Sequence, residues 1–360
     1  MARPARAHID LQALRDNYQW ARQLTAGSKV LAVVKADAYG HGAVRVARAL
    51  ADQADGFAVA SIEEALELRE SGVTNPILLL EGVFEPAELA LASSHELWIT
   101  VHCQSQLEWL LSARLERPLK VWLKMDSGMH RLGFAPQDFR AAYAVLAQSP
   151  QVSDIVLMSH YARADETDSL FSQQQRSTFE TLTADLPCTR SMANSAGLMA
   201  WSPRAGEWGR LGLALYGVSP LIGSRAHTTP LRPAMTLASE LIAVREVNAG
   251  EAVGYGTHYI TPSVTRIGVV AMGYADGYPR SASNGTPVAV AGQRTQLVGR
   301  VSMDMLTVDL THLPHAVAGD PVELWGQQIG VAEVARASQT ISYELLTRVT
   351  RRVERHYRNQ

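Results

Sequence analysis

A lysine follows an apolar run in the stretch VLAVVKADAYGHG, residues 30–42. The run Val30 to Val34 is β-branched at three of its five positions, which predicts a strand buried on both faces in a parallel sheet. A lysine that closes a strand commonly reaches into water. Here two glycines and a tyrosine follow Lys35, and turns of that kind let a backbone approach a ligand closely. Lys35 is therefore a candidate nucleophile or base at the mouth of a site.

Other polar residues stand at the ends of further apolar runs. They are Lys124 and Asp126, His160, Asn194 and Ser195, with Arg210 inside the last run. Each one alone has an ordinary structural explanation, such as a core histidine, a helix-capping asparagine or a surface arginine. If the runs are the strands of a barrel, however, all of these residues lie at one rim, where barrel enzymes form their active sites.

Eight apolar runs alternate with helix-length segments in the first two-thirds of the chain. The runs end at Lys35 or cover residues 56–61, 76–82, 96–101, 119–126, 154–160, 189–195 and 207–217. Eight is the number of strands in a closed (β/α)₈ TIM barrel. An open doubly wound sheet is the alternative, but no GxGxxG motif follows the first run. Asp10 is placed to cap a helix that begins at Leu11.

Beyond about Pro230 the pattern changes to valine-rich alternating runs separated by Gly, Asn and Pro, which predicts a mostly antiparallel β domain. The chain is thus predicted to be α/β, with a barrel domain over residues 1–230 and a β-rich domain over residues 231–360.

Composition excludes several classes of protein. The net charge of −2 disfavours nucleic acid and anionic membranes as partners. No stretch has the length of a signal peptide or a membrane span, so a cytoplasmic location is expected. Cys103 and Cys188 are far apart and the histidines lack HExxH or CxxC companions, so the sequence predicts reduced thiols and no metal site.

Two loops at the predicted rim are suited to a phosphate. NSAG, residues 194–197, offers a hydroxyl and small residues at a helix N-terminus, and RLG, residues 210–212, lies in the last run. Loops after strands seven and eight are where this fold usually holds phosphate. Pyridoxal 5′-phosphate would use both the phosphate seat and the amine of Lys35.

The stretch AVVKADAYGHG resembles the cofactor-lysine signature of the alanine racemase family. The resemblance continues through KMDSGMHRLGF (124–134), MSHYA (158–162), ANSAG (193–197), RLGLALYG (210–217), VGYGTHY (253–259), MGYADGYPR (272–280), VGRVSMDM (298–305) and ISYELL (341–346). These motifs span nearly the whole chain in the family's order. The family's fold is a barrel followed by a β domain, which an N-terminal strand, here about residues 4–10, usually joins.

The resemblance implies two bases on opposite faces of the substrate's Cα. Lys35 is implied to bind the cofactor and to serve D-alanine, and Tyr255 to serve L-alanine, with His160 and Arg210 as its neighbours. Free lysine and tyrosine titrate near pH 10, so each needs a pKa lowered by about two to three units to act near neutrality. Arg210 is implied to face the ring nitrogen and leave it unprotonated, which favours racemisation over transamination.

The same resemblance assigns the remaining site residues. Arg131 is implied to contact the cofactor's phenolic oxygen and the substrate carboxylate, which Met303 binds through its N–H with Asp304 beside it. Tyr343 would also limit the substrate side chain to about a methyl group. Lys124 aligns with a lysine that is carbamylated in some members and orients Arg131. The positions matching those around the cofactor are Tyr39, His160, Asn194, Ser195, Arg210, Gly212, Leu213 and Tyr343.

Lys35 and Tyr255 fall in different predicted domains, and the family solves this by head-to-tail dimerisation, so a homodimer with shared sites is expected. Three alternatives remain: a broad-specificity amino-acid racemase, a non-catalytic pyridoxal-phosphate carrier and a decarboxylase of related architecture. The carrier lacks a second domain, and the decarboxylase motifs match poorly. The sequence does not decide between D-alanine synthesis for the cell wall and D-alanine catabolism.

Overall fold

The structure is a computed structural model that describes residues 3–25, 27–201, 203, 206–222 and 229–359. It divides into two compact units. Leu14–Ala38 and Ala43–Leu231 form the barrel unit, and the other described residues, which include Tyr39–Gly42, form the β unit. Strands and helices are numbered along the chain, so that β1 (Arg6–Asp10) belongs to the β unit.

Eight parallel strands make up the sheet of the barrel unit. They are β2 (Lys29–Val33), β3 (Gly56–Val59), β4 (Ile77–Leu79), β5 (Trp98–Val101), β6 (Leu119–Lys124), β7 (Val152–Met158), β8 (Thr189–Ser191) and β9 (Trp208–Leu211). Their order is β8-β7-β6-β5-β4-β3-β2-β9, so each strand pairs with its predecessor along the chain and β9 pairs with β2. All eight strands predicted from the sequence are confirmed.

The two end strands of this sheet meet and complete the barrel. The N–H of Arg210 on β9 donates to Ala193 O beyond β8 at 2.9 Å, and Ser191 Oγ donates to Trp208 O at 2.9 Å. Inside, Trp208 of β9 contacts Trp98 and Trp122 of β5 and β6, with ring centroids 5.4 and 5.7 Å away. Since these strands lie on opposite sides of the barrel, the three rings fill its interior, as side-chain layers do in this fold.

Helices connect the barrel strands. They are α1 (Leu11–Gln23), α2 (Lys35–Gly40), α3 (Ala43–Leu50), α4 (Ile62–Glu70), α5 (Glu88–Ser94), α6 (Gln104–Ser112), α7 (Pro136–Leu146), α8 (Phe171–Thr183) and α9 (Ser195–Ala200). Asp10 caps α1 as predicted, because its Oδ1 accepts the N–H groups of Gln12 at 2.9 Å and Ala13 at 3.1 Å. Among the described residues, no helix has the length and hydropathy needed to cross a bilayer.

The β unit is built on a second eight-stranded sheet. Its other strands are β10 (Met235–Val247), β11 (Thr265–Val270), β12 (Pro287–Val290), β13 (Gln293–Gln296), β14 (Leu306–Asp309), β15 (Pro321–Trp325) and β16 (Glu354–Arg358), with helices α10 (Val331–Ala337) and α11 (Ser342–Thr347). The pairs are antiparallel except β1 with β16. The predicted mostly antiparallel β-rich part is confirmed, and β1 lies within its sheet between β10 and β16.

Candidate active site

Arg210 lies at the centre of the polar rim of the barrel unit. It is 4% exposed, and its guanidinium donates to Ser191 Oγ, to Ser159 O at 2.8 Å and to Met192 O at 3.2 Å. The pKa of Arg210 is lowered by burial to about 10, so the group remains a cation near neutral pH. These contacts come from the ends of β7 and β8, which fixes the plane of the guanidinium in the barrel mouth.

His160 follows β7 and lies directly against Arg210. Its Nδ1 is 3.1 Å from Arg210 Nη2, and its Nε2 is 3.4 Å from Asn194 Nδ2. Because a guanidinium only donates, Nδ1 of the neutral imidazole accepts and the ring proton lies on Nε2, so the approach to the donor Asn194 Nδ2 is a contact and not a hydrogen bond. Burial and nearby cations hold the pKa of His160 well below its ordinary value. These cations are Arg210, Lys124, Arg131 and Lys35.

Lys124 closes β6 inside the same mouth and is 7% exposed. Burial, with the positive charges of Arg210 and Arg131, lowers the pKa of Lys124 to about 8. The loop beyond it folds back on the strand end, because Phe134 N–H donates to Lys124 O at 2.8 Å and Asp126 N–H to Phe134 O at 2.9 Å. This loop carries Arg131, whose side chain is exposed.

The two predicted phosphate loops are joined to each other. Asn194 caps α9, with its Oδ1 accepting the N–H of Gly197 at 2.9 Å. Ser195 Oγ accepts the N–H of Gly212 at 2.9 Å and of Ala214 at 3.3 Å. The hydroxyl therefore connects the start of α9 to the turn after β9, where Gly212 and the buried Leu213 lie. Backbone N–H groups of both loops are gathered at one end of the barrel.

The chain beyond Lys35 takes an unusual backbone course. Four consecutive residues, Ala36 to Tyr39, have φ of 51° or 52°, and Gly40 follows at 76°. A left-handed turn made of non-glycine residues costs about 1–2 kcal/mol for each residue. Strain of this kind persists where surrounding contacts hold it, and it concentrates at functional sites. The sequence predicted a turn here, but it did not predict that the turn is left-handed.

The site residues predicted beyond residue 250 lie in the β unit and are exposed. Tyr255 begins a 3₁₀ turn and is 71% exposed, and Met303 is 53% exposed. Tyr343 of α11 is 39% exposed, with its ring centroid 5.7 Å from that of Tyr39. Burial, and to a lesser degree Tyr343, raises the pKa of Tyr39. Tyr255, Met303 and Tyr343 are thus all accessible on the β unit.

Backbone hydrogen bonds from residues 274 and 275 hold the segment 302–305, which carries Met303 and Asp304. Tyr274 N–H donates to Ser302 O and Ala275 N–H to Met303 O, both at 3.0 Å. A Cβ on Gly273 would lie 2.3 Å from Met303 O, so only glycine allows this approach. Within the described part of the chain, the N–H of Met303 donates to no group.

A buried carboxylate strengthens this attachment. Asp276 has a fully buried side chain that pairs with both guanidinium nitrogens of Arg3, at 2.5 and 2.8 Å. Arg352 bridges Asp276, at 3.4 Å, to the Asp304 carboxylate at 2.6 Å. Arg3 also donates to Asp304 O at 2.7 Å. Sequence analysis missed these residues, because Arg3 and Asp276 lie 273 positions apart and no motif joins them.

The structure thus brings the predicted polar residues of the barrel to one rim and places the others on the β unit. Fold and rim together define a class, a (β/α)₈-barrel enzyme with a polar rim that includes lysines and a β-rich second part. A family model described as "Alanine racemase, N-terminal domain" matches residues 9–220, and one described as "Alanine racemase, C-terminal domain" matches residues 234–357. The chain belongs to the alanine racemase family, and it is an enzyme of the racemase class, an isomerase.

Individual relatives match over almost their full length. The "Alanine racemase, catabolic" of Pseudomonas putida is 57% identical over 355 residues, which is 99% of each chain. The alanine racemase of Pseudomonas taetrolens is also 57% identical, with the same coverage. The solved structure of the biosynthetic alanine racemase from Pseudomonas aeruginosa is 50% identical, with a TM-score of 0.96 over 99% of this chain and 100% of that one.

Proposed function

We propose that the enzyme interconverts L- and D-alanine, using pyridoxal 5′-phosphate at the barrel rim and two bases, Lys35 and Tyr255 of the partner subunit. The observation that carries the proposal is the rim itself. It gathers a lysine, a buried arginine, a neutral histidine and two linked loops of backbone donors in one barrel mouth.

The donor set fits this cofactor. Lys35 supplies an amine for its aldehyde, and the two loops that Ser195 joins by accepting the N–H of Gly212 form the proposed seat for its phosphate. Arg210 supplies positive charge and N–H groups for its ring nitrogen. When bound, the cofactor supplies an electron sink that makes the Cα–H bond of an amino acid acidic.

Arg210 can donate but cannot accept or readily release a proton. We propose that the ring nitrogen facing it therefore stays unprotonated. The contacts to Ser191, Ser159 and Met192 support this role, because they hold the guanidinium in place and leave it little freedom to turn away. Limited electron withdrawal favours return of the proton to Cα over transamination.

We propose that Lys35 moves the proton on one face of Cα and Tyr255 on the other, which lets the chain invert Cα without moving a base. His160 supports the tyrosine side. Its neutral ring accepts from Arg210 through Nδ1, so Nε2 is the nitrogen that carries the proton and can donate to an incoming phenol oxygen.

We propose that substrate binding uses the β unit of the partner. The N–H of Met303 points to no acceptor within the described residues, and it is available to a carboxylate. Arg131 of the barrel loop adds a forked donor for the same carboxylate. Exposure of Tyr255, Met303 and Tyr343 on one unit supports a homodimer in which these side chains become covered by a second copy.

Lys124 is proposed to be carbamylated. Its neutral amine would attack carbon dioxide, forming an N–C bond and releasing a proton, and the resulting carbamate anion would orient Arg131. The pKa of about 8 supports this, since burial and two arginines keep a sizeable fraction of the amine neutral near neutral pH. Isotopically labelled bicarbonate should produce a carbamate signal that Lys124→Arg abolishes, and a signal that survives the substitution would contradict the assignment.

We propose further that the barrel and β-rich parts are domains divided near residues 230–231, and that the enzyme is cytoplasmic. The separation of Arg232 onward from the barrel residues supports the boundary. Two free cysteines, Cys103 and Cys188, are typical of a reducing compartment.

Shared sites are tested by mixing two inactive variants. Lys35→Ala and Tyr255→Phe should each lose at least about 10²-fold to 10⁴-fold in kcat. Random subunit exchange between them should restore about a quarter of full activity, because half the dimers are mixed and each holds one intact site. No recovery despite proven exchange would contradict shared sites.

The cofactor lysine is tested separately by borohydride reduction and peptide mapping. The label should be found on Lys35 in the unaltered protein and be absent from Lys35→Ala. A label on another lysine would overturn the assignment of the whole rim.

A further inference from the structure

Glu64 connects the backbone beside Lys35 to a neighbouring strand of the barrel. It lies in the first turn of α4, and its side chain is partly buried. Oε1 accepts the N–H of Ala36 at 2.7 Å, and Oε2 accepts the N–H of Ala60 at 2.7 Å. One carboxylate therefore joins the residue after the lysine to the end of β3.

This arrangement differs from what the local sequence predicts. Ser61 and Glu64 have the S-x-x-E spacing of a capping box, in which the glutamate would reach back to the N–H of the capping serine. Glu64 instead accepts from Ala60, one residue earlier, and Ser61 makes no side-chain cap. The second oxygen is then left for Ala36, which lies 28 positions away along the chain.

The hydrogen bond from Ala36 to Glu64 lies where the left-handed turn begins. Ala36 is the first of the four left-handed residues, so its N–H sets the direction in which the chain leaves Lys35. On the strand side, the hydroxyl of Tyr216 donates to Val33 O at 2.8 Å. The backbone is thus held on both sides of Lys35, by Tyr216 at Val33 and by Glu64 at Ala36.

Only a carboxylate serves both donors well. Two N–H groups from separate segments approach the two oxygens, and each bond is strengthened by the negative charge. A glutamine at this position has one acceptor oxygen and an NH₂ group, which would face an N–H donor. One of the two segments would therefore lose its anchor.

We propose that Glu64 is a positioning residue for Lys35, acting through the backbone of Ala36. The inference rests on the proposed function of Lys35 as cofactor lysine and as the base that serves D-alanine. Glu64 itself contacts backbone groups, and its effect reaches the chemistry through the placement of the amine.

Rates alone cannot show which base is affected. The two enantiomers have equal free energy, so kcat/KM must be the same in both directions for every variant. Primary deuterium isotope effects differ between directions, because each reports how far proton removal by one base limits the rate. A displaced Lys35 should raise the isotope effect on D-alanine deuterated at Cα and lower that on L-alanine.

The test compares Glu64→Gln with Glu63→Gln. Glu63 is an exposed neighbour in the same first turn of α4, so its variant removes the same charge from the helix N-terminus. Glu64→Gln should lower kcat/KM roughly 10-fold to 100-fold and shift the isotope effects in opposite directions. Glu63→Gln should change neither. If the glutamine variant does not fold, Glu64→Asp, which keeps the charge but is too short for both donors, takes its place.

Amide hydrogen exchange gives a readout independent of activity. In Glu64→Gln, the peptide covering residues 34–42 should exchange roughly tenfold faster, while α7 remains as protected as in the unaltered protein. Equal isotope-effect changes in both directions, unchanged exchange at 34–42, or faster exchange throughout the barrel unit would each overturn the proposal.

The test of Glu64 and the test of the cofactor lysine can fail independently of each other. If borohydride labels another lysine in the unaltered protein, the proposed function fails. If Lys35 is labelled but Glu64→Gln behaves like Glu63→Gln, only the positioning role fails.

Discussion

The rim of the barrel unit and the 302–305 segment of the β unit present polar groups in opposite ways. At the rim, Arg210 is buried and its donors are met by serine, histidine and carbonyl groups of the same unit. In the β unit, Met303 and Tyr255 are exposed, while the Asp276 carboxylate that supports the segment through Arg3 and Arg352 is fully buried. The polar groups of the rim are thus paired within their own unit, whereas Tyr255 and Met303 of the β unit remain exposed.

The difference shows two ways in which the position of a polar group can be fixed. Burying charged and polar groups fixes their geometry but requires every partner to be in place. Leaving a group exposed avoids that desolvation, provided the backbone that carries it is held firmly. Substitutions in the two regions should therefore have different kinetic and thermodynamic consequences.

The largest effect is expected at the rim. Arg210→Glu should reduce racemisation by roughly 10²-fold to 10³-fold, because it reverses the charge of the preorganised group. It should also raise the share of turnovers that end in transamination, since a carboxylic acid can protonate a facing ring nitrogen. Pyruvate formation measured against racemisation checks this, with Arg140→Glu on the exposed face of α7 as control. An unchanged product ratio would refute the account of Arg210.

A smaller effect, mainly on KM, is expected at Asp276 of the β unit. Asp276→Asn should raise KM for alanine roughly tenfold and leave kcat nearly unchanged, because Arg3 and Arg352 lose the carboxylate that ties them to the 302–305 segment. Removing one partner of a buried ion pair should also cost roughly 3 kcal/mol in the free energy of unfolding.

The matched control for Asp276→Asn is Glu333→Gln, which breaks a half-exposed pair with Arg294 in the same unit. It should cost under about 1 kcal/mol and leave KM unaltered. A fall in kcat at constant KM in the Asp276 variant would show that the cluster does not act through carboxylate binding.

Tyr343 of the β unit should affect substrate selectivity more than the rate with alanine. Tyr343→Ala should raise the kcat/KM of serine relative to alanine by roughly threefold to tenfold, because a bulky ring no longer limits the side chain. Ile341→Ala, an exposed neighbour at the start of α11, is the control. A substrate panel checks the ratio, and equal selectivity in the two variants would exclude Tyr343 as the limiting side chain.

A pH-dependent effect on the free energy of unfolding is expected at the rim. The pKa of Lys124 is about 8 in the folded chain and 10.5 as the ordinary value, so the unfolded chain binds more protons between these pH values. The free energy of unfolding should therefore rise as the pH increases from about 8 to 10.5. Lys124→Met should be more stable at pH 7 by roughly 1–3 kcal/mol and lack this rise. Denaturant titrations in bicarbonate-free buffer check both, and an unchanged slope would contradict a buried, electrostatically strained ammonium.

Much of the fold and part of the site could be predicted from the sequence because the signals are local. Apolar runs at regular intervals located all eight barrel strands, and the side chains of Asp10 and Asn194 marked two helix starts. Because parallel strands place their carboxyl ends at one edge, His160 and Arg210 were expected at the same rim before any distance was known. The motif resemblance was confirmed by the family matches over both parts of the chain.

Tertiary structure alone decided the features that depend on distant partners. The left-handed turn after Lys35 opposes the intrinsic preference of alanine and tyrosine, so only contacts such as that from Glu64 sustain it. The cluster of Arg3, Asp276 and Arg352 joins residues that no local pattern relates. Its carboxylate is stable in the interior because two guanidinium groups and the N–H of Gly273 converge on it. Periodicity along the chain thus determined which elements form, whereas long-range charge pairing and packing determined how the reactive backbone is held.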